Sequence, residues 1–61
     1  MLKDWRSLKV GDKIRWYGKE FDGSWDLPCK VIEIKSDCVI ADWDGVKLPI
    51  DDWSMDQFKR V

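Results

Sequence analysis

The sequence predicts an all-β chain: a small five-stranded antiparallel barrel with a 3₁₀ turn before its last strand. Three observations carry the prediction. Apolar residues recur at a spacing of two in several short runs. The runs are separated by compact turn signals, Gly11-Asp12, Ser36-Asp37 and Asp44-Gly45. No stretch holds a 3.6-residue periodicity over the length of an ordinary helix.

The elements follow in order. Residues 1–9, MLKDWRSLK, read as a lead-in in which Asp4 caps a single turn and Trp5 and Leu8, at helical spacing, face inward. After the Gly11-Asp12 turn, Ile14 and Trp16 alternate with Lys13 and Arg15, the period of a first strand. Residues 18–28 hold two glycines and a proline and form a loop. CKVIEIK is the second strand, and its phase slips at Val31-Ile32, which predicts a bulge or a bend there. CVIADW is the third strand, with Val39, Ala41 and Trp43 on one face. Asp44-Gly45 is a hairpin signal leading into VKLPID, the fourth strand. Pro49 has no N–H to give a neighbour, so this strand belongs at an edge. The tail has two readings. Ser54 and Gln57 form a capping-box pattern that would start a short helix with Met55, Phe58 and Val61 on one face. Alternatively a 3₁₀ turn precedes a fifth strand, FKRV. The second is preferred, because a short four-stranded meander needs another strand to close.

Composition limits what such a domain does. With 61 residues there is one domain, single and spanning residues 1–61, and a domain of this size buries about 60% of its unfolded surface. Hydrophobic residues at 44% and charges of mixed sign at 38% describe a folded chain. A formal net charge of −1 gives no general attraction to nucleic acid or to an anionic membrane, although residues 1–20 carry six basic and three acidic side chains. No apolar run approaches the roughly 18 residues of a membrane span, so no membrane partner is expected. Met1 is followed by charged residues rather than the apolar segment of a secretion signal, which with Cys29 and Cys38 read as reduced thiols gives a cytoplasmic expectation.

The absence of histidine removes the commonest general base, the usual partner of nucleophilic cysteine and serine, and most zinc sites. DWDG has the opening of a calcium loop without its third ligand position or closing glutamate. No pair of carboxylates stands beside a nucleophile. The expectation is a non-enzymatic protein with no metal and no cofactor.

The ordered set VGDKI, DGSW…PCKVIEI, CVIADWDG and LPIDDW, covering about residues 9–53, resembles the Tudor-type SH3-like barrel. That resemblance implies a five-stranded barrel. It also implies a cage of aromatic side chains for methylated lysine or arginine, while related barrels bind nucleic acid, ribosomes, polymerases or proline-rich peptides. The chain departs from the pattern in two places. Gly18 stands where an aromatic of the cage is often found, and Trp25 is out of step by one or two positions.

Topology alone gathers side chains. In an up-and-down meander the loops after the first and third strands share one end. That end collects Trp16 or Tyr17, Phe21, Trp25 and Trp43, along with Glu20, Asp22, Asp26, Asp42 and Asp44. Aromatic faces and carboxylates together favour a cation. Trp43 reads either as a plug of the barrel end or as the floor of a site. Trp16 reads as core, Trp25 and Tyr17 as surface contacts, and Trp5 and Trp53 as a pair packed beneath the lead-in and tail. Eight aromatic residues exceed what so small an interior can hold.

The expected function is therefore recognition of a protein partner through the aromatic-acidic end, the ligand being a basic or methylated Lys or Arg side chain or a basic patch. The partner-binding residues are Tyr17, Phe21, Trp25, Trp43, Asp22, Asp26 and Asp44. A chain this small suits an adaptor or inhibitor, of the kind common among bacterial and phage small proteins, and a monomer is the default. The alternative is a nucleic-acid-binding barrel using Lys13, Arg15 and Lys19 with an exposed aromatic for stacking.

Overall fold

A reciprocal turn launches the first strand. In the computed structural model, which describes residues 2–18 and 26–61, the Asp12 N–H donates to the Lys9 carbonyl and the Lys9 N–H donates to Asp12 Oδ2. Gly11 adopts φ +98° inside this turn, a conformation that costs a side chain dearly. The strands are β1 (Lys13–Trp16), β2 (Leu27–Ile34), β3 (Val39–Trp43), β4 (Val46–Ile50) and β5 (Phe58–Arg60). They form one antiparallel sheet in the order β4-β3-β2-β1-β5. The Met55–Gln57 3₁₀ turn precedes β5, so the tail follows the turn-and-strand reading.

Local chemistry accounts for the joints. The register between β2 and β3 shifts between Val31 and Glu33, leaving Ile32 as the extra residue where the apolar phase slips. Lys35 and Cys38 close the Ser36-Asp37 turn through an N–H to carbonyl bond of 2.8 Å. At the β3–β4 hairpin Asp44 (φ 50°) and Gly45 (φ 86°) are both left-handed, as a two-residue primed turn requires.

β4 lies at the sheet edge, as Pro49 demands, and the edge is covered. The Ser54 hydroxyl donates to the Pro49 carbonyl at 2.8 Å and accepts the Asp51 N–H at 3.1 Å. One side chain thus occupies the place of a neighbouring strand. Asp51 Oδ1 in turn accepts the N–H groups of Trp53 and Ser54 and holds this loop. Ser54 therefore serves the edge and makes no helix-capping bond.

Every strand contributes to the core, through Ile14, Cys29, Val31, Val39, Ala41, Ile50 and Phe58. The first nine residues are part of that core. Leu2, Trp5 and Leu8 are buried, around a 3₁₀ turn at Trp5–Ser7. This segment spans the gap between the two sheet edges. On the β4 side, the Trp5 indole N–H donates to Asp52 Oδ1 at 2.9 Å and Arg6 pairs with Asp52 at 3.2 Å. On the β5 side, Arg60 pairs with Asp4 at 2.8 Å and donates to Ser7 Oγ.

Two expectations are corrected here. Asp4 makes no capping bond to the turn; its carboxylate is taken by Arg60. Trp5 and Trp53 do not share an environment. Trp5 is 2% exposed, whereas Trp53 is 90% exposed on the Asp51-held loop. No helix in the described residues is long and apolar enough to cross a membrane.

Candidate functional site

The ends of β1 and β3 meet, as the meander requires. Trp16 closes β1 and Trp43 closes β3, and their rings stand edge-to-face with centroids 6.0 Å apart. Trp16 also stacks with Phe58 of β5 at 6.3 Å. Such pairs contribute about 0.5–1.5 kcal/mol each beyond the area they bury. Phe58 is fully enclosed, but Trp16 and Trp43 are only half-buried and lie against the core from outside. The Trp16 indole N–H donates to Gln57 Oε1 at 3.3 Å, which sets the ring plane. Trp43 packs on the core and is partly accessible.

By its phase with Ile14, Trp16 belongs to the core side, and it packs against the core there, half-buried at the last residue of its strand. Gln57 carried only a capping-box signal, and its bond to Trp16 depends on the pairing of β5 with β1.

The remaining residues divide. Asp44 is exposed at the hairpin tip beside Trp43. Asp26 is exposed and bound by Arg15, whose Nε donates to Asp26 Oδ1 at 2.8 Å and whose Nη2 donates to the Asp26 carbonyl. That hydrogen bond holds the Asp26 carboxyl below its ordinary pKa and raises Arg15. Asp42 is held by Lys47 at 3.3 Å. Two of the acids expected to greet a cation thus already have intramolecular partners. Tyr17 is half-buried, donates its hydroxyl to the Asp56 carbonyl, and has Lys59 Nζ 5.8 Å from its ring centroid. It turns away from Trp16, as adjacent strand residues do. Lys19, Phe21, Asp22 and Trp25 lie outside the described residues, as does Glu20.

The other chemistries find little. Burial pushes the Cys29 thiol pKa up, which suppresses its thiolate. Both cysteines are free. Among the described residues no group of three acidic or sulfur ligands is placed to hold a metal ion. No family model matches this chain, and no curated protein and no solved structure matches it.

Proposed function

We propose that this protein is a small non-enzymatic binding module that recognises a basic or methylated lysine or arginine side chain on a protein partner. The observation that supports this reading is the half-exposed Trp16–Trp43 pair at the joined ends of β1 and β3, with Asp44 at its rim. Trp16, stacked on Phe58, holds Trp43 edge-to-face at 63°, and the accessible part of this aromatic pair attracts a cation through the ring quadrupoles. Each such contact is worth about 0.5–2 kcal/mol, so two rings and one carboxylate suit weak, reversible recognition. A phosphate would meet the wrong sign of charge. The strand order, with β5 beside β1 and a 3₁₀ turn before β5, is consistent with the SH3-like, Tudor-type architecture in which such cages are built.

The test is a titration of the isotope-labelled protein with short peptides that differ only in one side chain: lysine, trimethyllysine, arginine or dimethylarginine. The indole N–H resonances of Trp16 and Trp43 should shift with at least one peptide, and Trp43→Ala should abolish the response. Shifts confined to Trp53, or none at all for Trp16 and Trp43 with any peptide, would refute the proposal. Trp25→Ala, tested in parallel, establishes whether Trp25 contributes to the response.

A further inference from the structure

Strand parity puts a second set of side chains on the opposite face of the same strands. Lys13 and Arg15 of β1 point away from Ile14 and Trp16, and Tyr17 continues their phase. The register then aligns two rows across the sheet. Lys59 of β5 stands beside Arg15, which stands beside Pro28 of β2. Lys13 stands directly beside Lys30 of β2. A groove of about 400 Å³ runs over this face, with Lys13, Arg15, Pro28, Lys30, Asp42 and Val61 among the residues that line it.

The Lys13–Lys30 pairing is the informative feature. Like charges directly opposite one another on an antiparallel pair oppose folding. Neither lysine makes a salt bridge among the described residues, although acids are plentiful in this chain. Asp42 stands opposite Lys30 across β2 and β3 and lines the groove, but its salt bridge is to Lys47, and that of Asp26 is to Arg15. The face therefore carries an excess of cations, with Lys13, Arg15 and Lys30 against Asp42, around a groove with apolar walls at Pro28 and Val61, and the Tyr17 ring lies further along the chain beside Lys59.

We propose that this outward face binds a single-stranded nucleic acid, with the phosphate backbone tracking Lys13, Lys30 and Lys59 and a base stacking on Tyr17. Ammonium groups act as point charges toward phosphate oxygens, and an aromatic ring beside them accepts any base without sequence preference. An acidic peptide matches the charge but has no planar group for the ring and the apolar walls. This site lies on the other face from the Trp16–Trp43 pair and does not depend on it.

The test is fluorescence anisotropy with a short fluorescein-labelled oligothymidylate, and with a labelled polyglutamate peptide as competitor class. Three phosphate contacts give a slope of log affinity against log salt of about −2, so affinity falls roughly 20-fold between about 50 and 200 mM salt. Lys13→Ala/Lys30→Ala should reduce the slope to about −0.7. Tyr17→Leu should weaken binding about tenfold with the slope unchanged. Tyr17→Phe, which keeps the ring and loses only the hydroxyl bond to Asp56, should bind as wild type and so separates stacking from folding. Thermal melts of the double-lysine variant guard against misfolding and should show it at least as stable as wild type. The proposal fails if the oligothymidylate does not bind at low salt. It also fails if the double variant keeps the wild-type slope, or if polyglutamate binds as tightly and Tyr17→Leu has no effect.

Discussion

Trp5 and Trp53 offer the sharpest check on how this fold is held together. They are the same residue type, both lie outside the strands, and nothing in their neighbouring sequence separates them. The structure makes them opposites, at 2% and 90% exposure. A fully buried tryptophan truncated to alanine costs about 3–5 kcal/mol through lost burial and the cavity left behind. A chain of 61 residues has a total stability of about 3–9 kcal/mol at the usual 0.05–0.15 per residue. Trp5→Ala therefore removes between a third and all of it. Trp53→Ala removes no packed surface and belongs within about 0.5 kcal/mol of wild type.

Urea denaturation followed by far-ultraviolet circular dichroism measures both. With a slope of about 1 kcal/mol per molar for so small a domain, Trp5→Ala should lower the midpoint by about 3 M or leave the chain unfolded in buffer. Trp53→Ala should move it by less than about 0.5 M. Trp5→Phe keeps most of the apolar bulk but loses the bond to Asp52, and should fall between the two. If Trp5→Ala retains the wild-type midpoint, or Trp53→Ala falls as far as Trp5→Ala, residues 2–8 are not part of the core and the account of how the sheet edges are bridged is wrong.

Three further outcomes follow from the same structure. Ser54→Ala uncovers the Pro49 carbonyl and the Asp51 N–H at the β4 edge; it should cost about 1 kcal/mol and promote self-association visible by sedimentation at high concentration. Gly45→Ala meets no atom within 4 Å but must hold φ +86°, so it should cost about 1 kcal/mol in urea, whereas Asp44→Asn, which tolerates the left-handed turn, should leave the midpoint unchanged while weakening capture of a cationic peptide. Hydrogen bonds hold the carboxyl pKa values of three acids below normal: from Arg60 to Asp4, from Arg15 to Asp26, and from Trp5 and then Arg6 to Asp52. A depressed folded-state value means stability that is fully present above the unfolded carboxylate pKa of about 4 and lost as pH falls through the folded value; denaturation midpoints should therefore drop below about pH 4, and Asp52→Asn should flatten that loss.

The strands were legible because their signals are local. Ile14, Val39, Ala41 and Ile50 each announce their face through the residue on either side, and the Asp44-Gly45 turn and the Pro49 edge rest on backbone chemistry that no distant contact alters. The bulge was legible because two β-branched residues in succession cannot both face inward in a regular strand. The lead-in was half legible. Leu8 and Trp5 declared an inward face, but what holds them there is a set of ion pairs and hydrogen bonds to Asp52 and Arg60, some fifty residues away. Charged residues in loops look alike in sequence whether they hold a strap or float in solvent. The same reason hid Trp53: its exposure follows from Asp51 tying the loop outward, and an aspartate two residues before a tryptophan carries no such signal alone.

The two candidate surfaces are separated by a single step in the chain. Trp16 packs against Trp43 on the core side, and its neighbours Arg15 and Tyr17 lie on the outward face with Lys59. In a strand that alternation is obligatory, so the two surfaces cannot merge without a shift of register that would also bury Arg15 and expel Ile14. The link between them is the Arg15–Asp26 pair, where the basic face reaches the start of β2 and cancels one acid of the aromatic end. Arg15→Ala consequently has opposite effects on the two surfaces. It frees Asp26 and makes the aromatic end more attractive to a cation, while leaving the Lys13–Lys30 row intact. A rise in affinity for a cationic peptide, with the salt slope for oligothymidylate little changed, is the expected result; a parallel loss of both activities would mean that one surface carries both.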